Sequence, residues 1–148
     1  MDGDTLKEKI LNEMVVDYSD ALEKNYALAK KFIRITKDGK VDILFKDKLT
    51  GTEKVSLYLI GKLYAKRAGL AETEYADNKE LTNELGIPMN SLRPWLMTLR
   101  NENKVHTKSN GRKASHAIMI NAVEPILNTI NGKIEVQQHG TAESNKVS

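Results

Sequence analysis

Basic side chains are concentrated in one segment of the chain. From residue 78 to residue 123, three acidic residues stand against seven basic ones: Lys79, Arg93, Arg100, Lys104, Lys108, Arg112 and Lys113. Residues 1–51 hold ten acids and ten bases, residues 52–77 hold four of each, and residues 124–148 hold three acids and two bases. The net charge of +3 therefore comes from one local patch of positive potential, which suits an anionic partner.

Catalytic and metal-binding chemistry find little support among the residues. The chain has no cysteine, which excludes disulfides, thiolate zinc sites and cysteine nucleophiles. His106 and His116 are placed to face each other across a hairpin and, with His139, suggest a metal site, but their spacing matches no zinc motif. The sequence has no supported carboxylate pair, phosphate-binding glycine loop or serine elbow. We therefore expect no enzyme, metal or cofactor.

The composition indicates a globular protein. Hydrophobic residues make up 40% and charged residues 29%, which is typical of neither disordered nor membrane proteins. No apolar run has the length of a membrane span or a signal peptide. We expect a cytoplasmic protein with no membrane contact.

The first 49 residues predict a helical arm followed by a β-hairpin. A helix over Thr5–Val16 has one apolar stripe, formed by Leu6, Ile10 and Met14. A second helix is expected from Ser19, as its N-cap, to Lys31. Two β-rich runs then flank Asp38-Gly39, a dipeptide that favours a type I′ turn.

Residues 50–130 predict a second unit, which begins with three helices. Thr50 and Glu53 form a capping box, and the helix they open should end near Gly69. After a polar connector, Asn78 is expected to cap a short helix that stops at Gly86. The third helix is predicted over Met89–Asn101.

A hairpin and a short helix complete this unit. Strands are predicted on either side of a basic loop, residues 108–113, with its tip at Asn110-Gly111. The whole hairpin, residues 105–120, is referred to below as the wing. A last helix is expected from Glu124 to Ile130. Residues 131–148 are predicted to be a flexible tail, disordered from Gln137.

The stretch from Asn78 to Arg100 resembles the helix-turn-helix of winged-helix DNA-binding proteins, in particular small archaeal and bacterial regulators. The resemblance rests on three helices followed by a basic hairpin and covers Thr50–Ile130. It implies a mainly α protein with a small β component (α+β). The fold class is thus a winged helix-turn-helix domain preceded by a helical arm and a hairpin.

The resemblance also implies a function. In winged-helix proteins the third helix enters the major groove, where Asn reads adenine and Arg reads guanine. Asn90, Ser91 and Arg93 are the residues expected at the base edges. The residues expected at phosphates or the minor groove are Arg100, Lys104, Lys108, Asn110, Arg112 and Lys113. Sequence-specific binding of double-stranded DNA by a homodimeric transcriptional regulator follows, with the N-terminal helices as the pairing surface.

The third helix contains a proline and the single tryptophan of the chain, Pro94 and Trp95. Pro94 is harmless if Asn90 is the N-cap, whereas a helix that starts at Pro88 would be expected to kink. Trp95 is expected to pack against the first helix of the unit or against the wing.

Three other functions remain open. The chain is alternatively a winged-helix protein-interaction module with weak or no DNA binding, which would depend on apolar surface near Trp95 or the N-terminal hairpin. RNA binding is less favoured because aromatic residues are few. No residue pattern points to a small-molecule effector.

Overall fold

The structure is a computed structural model that describes residues 2–15 and 20–147, with side chains for residues 5–15 and 20–137. Its helices are α1 (Asp2–Glu13), α2 (Ala21–Lys24), α3 (Tyr26–Ala29), α4 (Gly51–Arg67), α5 (Asn78–Leu85), α6 (Met89–Asn101) and α7 (Val123–Val147). Its strands are β1 (Ile33–Ile35), β2 (Val41–Ile43), β3 (Ala76–Asp77), β4 (Val105–Asn110) and β5 (Lys113–Ile118). The predicted α+β class, mainly helical with small antiparallel sheets, is confirmed.

Helix α4 lies at the centre of the core. All residues from Val55 to Gly61 are buried, so both sheets and several helices pack around it. The predicted capping box is present: the Glu53 amide donates to Thr50 Oγ1 at 3.3 Å, and the Thr50 amide donates to Glu53 Oε1 at 2.8 Å. The helix ends as predicted at Gly69, whose φ of +76° lets the chain leave the helix.

The N-terminal part differs in detail from its prediction. The helix expected from Ser19 to Lys31 is two short helices, α2 and α3, separated at the buried Asn25, whose side-chain amide donates to the Ala21 carbonyl at 2.8 Å. This side chain competes with regular helix hydrogen bonding and favours a break. The proposed N-cap, Ser19, lies outside the described residues.

The predicted N-terminal hairpin exists, but its turn is not type I′. Strands β1 and β2 pair antiparallel with Ile35 opposite Val41. Within the loop between β1 and β2, only Gly39 has a positive φ, of +84°, whereas a type I′ turn needs two such residues in succession. The Gly39 amide donates to the Thr36 carbonyl at 2.9 Å, which closes a longer loop of the kind that ends in a left-handed glycine.

Helices α5 and α6 meet at the turn that the sequence predicted. Gly86 has a φ of +64° and ends α5. The N-cap of α5 is Asp77 rather than Asn78, because the Asp77 carboxylate accepts from the Glu80 amide at 2.8 Å. Helix α6 spans the predicted residues, and its N-cap is Pro88 rather than Asn90. Pro94 therefore lies inside the helix, where it removes one backbone hydrogen bond.

The wing hairpin belongs to a three-stranded sheet. Its strand order is β3-β5-β4, and Ala76 of β3 pairs with His116 of β5. The expected polar connector thus contributes a strand, which was too short for its sequence pattern to indicate. At the tip Gly111 has a φ of +65° and Arg112 does not have a positive φ, which matches a type II′ turn.

Helix α7 continues far beyond its predicted end at Ile130. Residues 131–147 are helical rather than disordered. Ile134 is buried one turn after Ile130, and the Lys133 ammonium lies 2.6 Å from the Glu53 carboxylate of α4. These contacts continue the apolar stripe that residues 126–130 begin. The N-terminal hairpin, α4, the wing and α7 contribute to one buried cluster.

Among the described residues, no helix combines the length and the hydropathy that a membrane crossing requires.

Candidate nucleic-acid interface

Helix α6 presents the predicted base-reading residues on its outer side. Leu92, Leu96 and Leu99 are each at most 2% exposed and anchor the helix on the core. Their spacing leaves Asn90 and Arg93 exposed and Ser91 half-buried, all near the start of the helix. Asn90 and Arg93 are therefore accessible to another molecule.

Trp95 packs against the first helix of the unit, as the sequence predicted. A Cβ placed on Gly51 would lie 2.3 Å from Cζ2 of the Trp95 ring. Gly51 is the first residue of α4, and its lack of a side chain admits the indole. The contact fixes the middle of α6 against the core.

The wing tip and the two helices enclose a cleft of about 230 Å³. Arg112 and Lys113 line it from the wing, Lys79 from the start of α5, and Met89 from the start of α6. Lys79 was not among the predicted site residues. Its place in the positive segment was visible in the sequence, but its proximity to the wing depends on the β3–β5 pairing.

The cations around this cleft are not compensated by the protein. Of the seven basic residues of the positive segment, only Lys104 forms an ion pair within the described residues. In that same part of the chain, Lys79, Arg93, Arg112 and Lys113 also have no hydrogen-bond partner through their side chains. Asp77, the acid that lines the cleft, caps α5 and forms no ion pair with these cations. An external anion is therefore the natural counter-charge.

A hydrogen-bond chain centred on the buried His116 joins α6 to the wing. Arg100 Nη1 donates to Thr107 Oγ1 at 3.4 Å, and Thr107 Oγ1 lies 2.8 Å from His116 Nδ1. His116 Nε2 in turn lies 2.7 Å from Asn78 Oδ1. The four residues come from α6, β4, β5 and α5, so the chain fixes the wing relative to both helices.

His116 is neutral in this arrangement. Asn78 Oδ1 is an acceptor, which assigns the ring proton to Nε2 and leaves Nδ1 to accept from the Thr107 hydroxyl. Burial lowers the pKa of His116 to about 4; the Arg100 cation lowers it too, and Asp77 opposes the shift. Protonation would require Nδ1 to donate and would break the directional chain.

Of the nine predicted site residues, Arg112 and Lys113 line the cleft, and four more lie on α6: Asn90, Ser91, Arg93 and Arg100. The other three lie elsewhere. Lys104 is half-buried, with its ammonium 2.8 Å from the Glu102 carboxylate, beyond the other end of α6. The Lys108 ammonium lies 3.9 Å from the centre of the Tyr75 ring, on the face of the wing opposite Thr107 and His116. Asn110 is exposed at the end of β4.

His106 and His116 do not face each other across the wing, contrary to the arrangement that their positions suggested. His106 pairs with Ala117 and His116 pairs with Thr107, so the two rings project from opposite faces of the wing. The His139 side chain lies outside the described side chains. No cluster of three or more metal-ligating side chains occurs in the described part of the chain.

Comparison with solved structures adds a structural likeness. Neither a protein-family model nor a curated protein matches the chain. A solved structure of Bordetella bronchiseptica BpsR, described by the mechanism by which 6-hydroxynicotinic acid regulates its DNA binding, matches 82% of this chain and 77% of its own chain. The TM-score is 0.42 at 13% sequence identity. Similarity at this level does not transfer a fold or a function to this chain.

Proposed function

We propose that the chain is a winged-helix protein that binds double-stranded DNA in a sequence-specific manner as a transcriptional regulator. The order α4, β3, α5, α6, β4, β5 supports the winged-helix assignment, because it consists of three helices and a small sheet that ends in a basic hairpin. The observation that carries the function is the group of uncompensated cations on α5, α6 and the wing tip.

In this proposal the residues at the start of α6 and the cations that line the cleft have different roles. Asn90 and Arg93, near the start of α6, meet base edges in the major groove. Arg112, Lys113 and Lys79 meet phosphates, which sets the register of α6 without reading sequence. The proposal assigns Arg100 to a phosphate as well, held in place through Thr107.

The test is fluorescence anisotropy with duplex DNA of random and genomic sequence over a range of salt concentrations. The double variant Arg112→Ala/Lys113→Ala should bind about tenfold more weakly or worse, and the slope of log affinity against log salt should fall by about 1.8, about 0.9 for each phosphate that is no longer neutralised. Lys24→Ala/Lys31→Ala is the matched control, because it removes the same charge from residues paired with α7. An equal loss in both double variants would show that only net charge matters.

A different outcome would favour the interaction-module alternative. If the wild-type protein does not bind duplex DNA at low salt, the DNA-binding proposal is wrong. Partner capture should then be compared between the wild type and a variant of the exposed apolar residue Met97 on α6.

We also propose that the protein is a homodimer that pairs through α1. Leu6, Ile10 and Met14 form an apolar stripe that is exposed, with Met14 at 76%. A helix of this length is marginal in water unless it packs against something. Ile10→Asp should lower the mass measured by light scattering to that of a monomer, whereas Asn12→Asp adds the same charge on the opposite side of α1 and should leave it unchanged.

A further inference from the structure

A second cleft, of about 410 Å³, lies far along the sequence from the cationic segment. Helix α3, strand β1 and the last turns of α4 form its walls. Its lining residues are Tyr26, Ala29, Lys30, Ile33, Arg34, Ile35 and Tyr64. The lining combines aromatic and aliphatic walls with two cations, and it contains no acid.

The walls of this cleft are suited to a flat apolar group. Tyr64 is held rigidly, because its hydroxyl donates to the Leu22 carbonyl at 2.6 Å. Burial raises the pKa of Tyr64 to about 12, so the phenol stays neutral. Tyr26 is more than half exposed, and its ring can cover a bound molecule.

Arg34 is oriented by the backbone beside the cleft. Its Nη1 donates to the carbonyl of Lys30 and to that of Ile33, the latter at 3.0 Å. Within the described part of the chain, its Nε and Nη2 atoms have no partner. A guanidinium fixed by one nitrogen presents its remaining N–H groups as a preformed fork for a carboxylate.

The charge of this cleft is also uncompensated. Lys30 has its ammonium 5.2 Å from the centre of the Tyr26 ring and forms no ion pair with the described residues. Its neighbour Lys31 contacts Glu135. Asp42 is opposite Arg34 in the hairpin, yet the two are not within ion-pair distance.

We propose that this cleft binds a small aromatic carboxylate. The ring lies between Tyr26 and Tyr64, and the carboxylate accepts from the free edge of Arg34 with Lys30 as a second cation. The proposal does not depend on DNA binding, since no residue of the cleft belongs to α5, α6 or the wing.

The test titrates the full chain with 2-naphthoate and observes backbone amide shifts by NMR. We expect saturable shifts confined to α3, β1 and the end of α4, with a Kd of about 1 mM or tighter. The neutral 2-naphthamide should bind at least about tenfold more weakly, because it lacks the carboxylate.

Three variants distinguish the proposed contacts. Arg34→Gln should weaken binding about tenfold or more, whereas Lys37→Gln removes the same charge from the hairpin loop and should change nothing. Asp42→Asn should strengthen binding, because it removes the acid that is paired with Arg34 in the hairpin. Thermal melting of each variant checks that it is folded.

Several results would overturn the proposal. They are the absence of saturable shifts up to about 10 mM naphthoate, which is about tenfold above the expected Kd, equal binding of the amide, or unchanged affinity in folded Arg34→Gln. Shifts that spread over the wing would indicate nonspecific anion binding and would also contradict it.

Discussion

The cations in two regions of the surface differ in whether they have acidic partners. On α2 and beside α3, Lys24 and Lys31 contact the α7 carboxylates of Glu124 and Glu135 at 3.5 and 4.0 Å. Around the wing cleft, Arg112, Lys113 and Lys79 have no acidic partner among the described residues. The first group serves contacts between elements of the protein. The second leaves its charge to be neutralised from outside, which is the physical basis of the proposed DNA binding.

The contacts that join these two regions to the rest of the protein also differ in strength. Surface ion pairs of the first kind lose most of their energy to solvent screening and side-chain entropy. The wing is instead joined to α5 and α6 by the hydrogen-bond chain through the buried His116, which contains one cation, Arg100, and otherwise neutral groups. We therefore expect the stability conferred by the wing region to depend on pH. The loss of an ion pair between the α2–α3 region and α7 should change the stability only slightly.

The largest expected effect is a loss of stability at acidic pH that depends on His116. Its pKa of about 4 in the folded protein is below the value of 6.5 in the unfolded chain, so the unfolded state binds the proton first. The stabilisation is complete above about pH 6.5 and is lost as the pH falls towards 4, by about 3 kcal/mol in all. Urea unfolding at pH 7, 5.5 and 4 measures it.

The control for this prediction is His116→Gln, which keeps a polar side chain that does not titrate. The pH dependence of the wild type should exceed that of the variant between pH 6.5 and 4. Carboxylates with lowered pKa, such as Glu53 and Glu74, act equally in both proteins. Parallel curves for the two proteins would contradict the assignment of a depressed pKa to His116.

The next effect concerns the contact that holds α6, and with it the uncompensated surface. Gly51→Ala places a methyl group into the Trp95 ring and should destabilise the protein by about 1–3 kcal/mol. Trp95 is the single tryptophan, so its fluorescence during urea unfolding reports the change directly. Gly132→Ala in α7 meets no atom within 4 Å and should be neutral or stabilising. A neutral Gly51→Ala would mean that the indole does not lie over α4.

A smaller effect, on DNA binding, is expected from the loss of Lys79, which was not among the predicted site residues. Lys79→Ala should weaken DNA binding severalfold and reduce the salt slope by about 0.9. Lys104→Ala, at a residue already paired with Glu102, should change the slope less. If Lys104→Ala has the larger effect on the slope, the phosphate path runs along the other end of α6.

The smallest effect is expected where the cations are compensated. Lys24→Gln breaks an exposed ion pair with Glu124 and should lower the free energy of unfolding by less than about 1 kcal/mol. Chemical denaturation at neutral pH and moderate salt measures it. A loss of several kcal/mol would remove the contrast between the two regions.

Local sequence signals predicted most of the elements around the site. The capping box at Thr50, the glycines that end α4 and α5, and the span of α6 all depend on residues within a few positions of each other. Two of the errors have local causes too: Asp77 rather than Asn78 is the N-cap of α5, and Asn25 interrupts a helix whose apolar spacing continues through it.

The helices α4, α5 and α6, the two hairpins and the confinement of positive charge to one segment could be predicted from the residues, because backbone propensity and charge are properties of short stretches. Which of those charges lie together depends instead on the packing of distant elements. The pairing of β3 with β5 places Lys79 beside the wing and buries His116, and the fold brings Lys108 to Tyr75. Such contacts join residues far apart in the chain, and their geometry depends on the packing of the whole core.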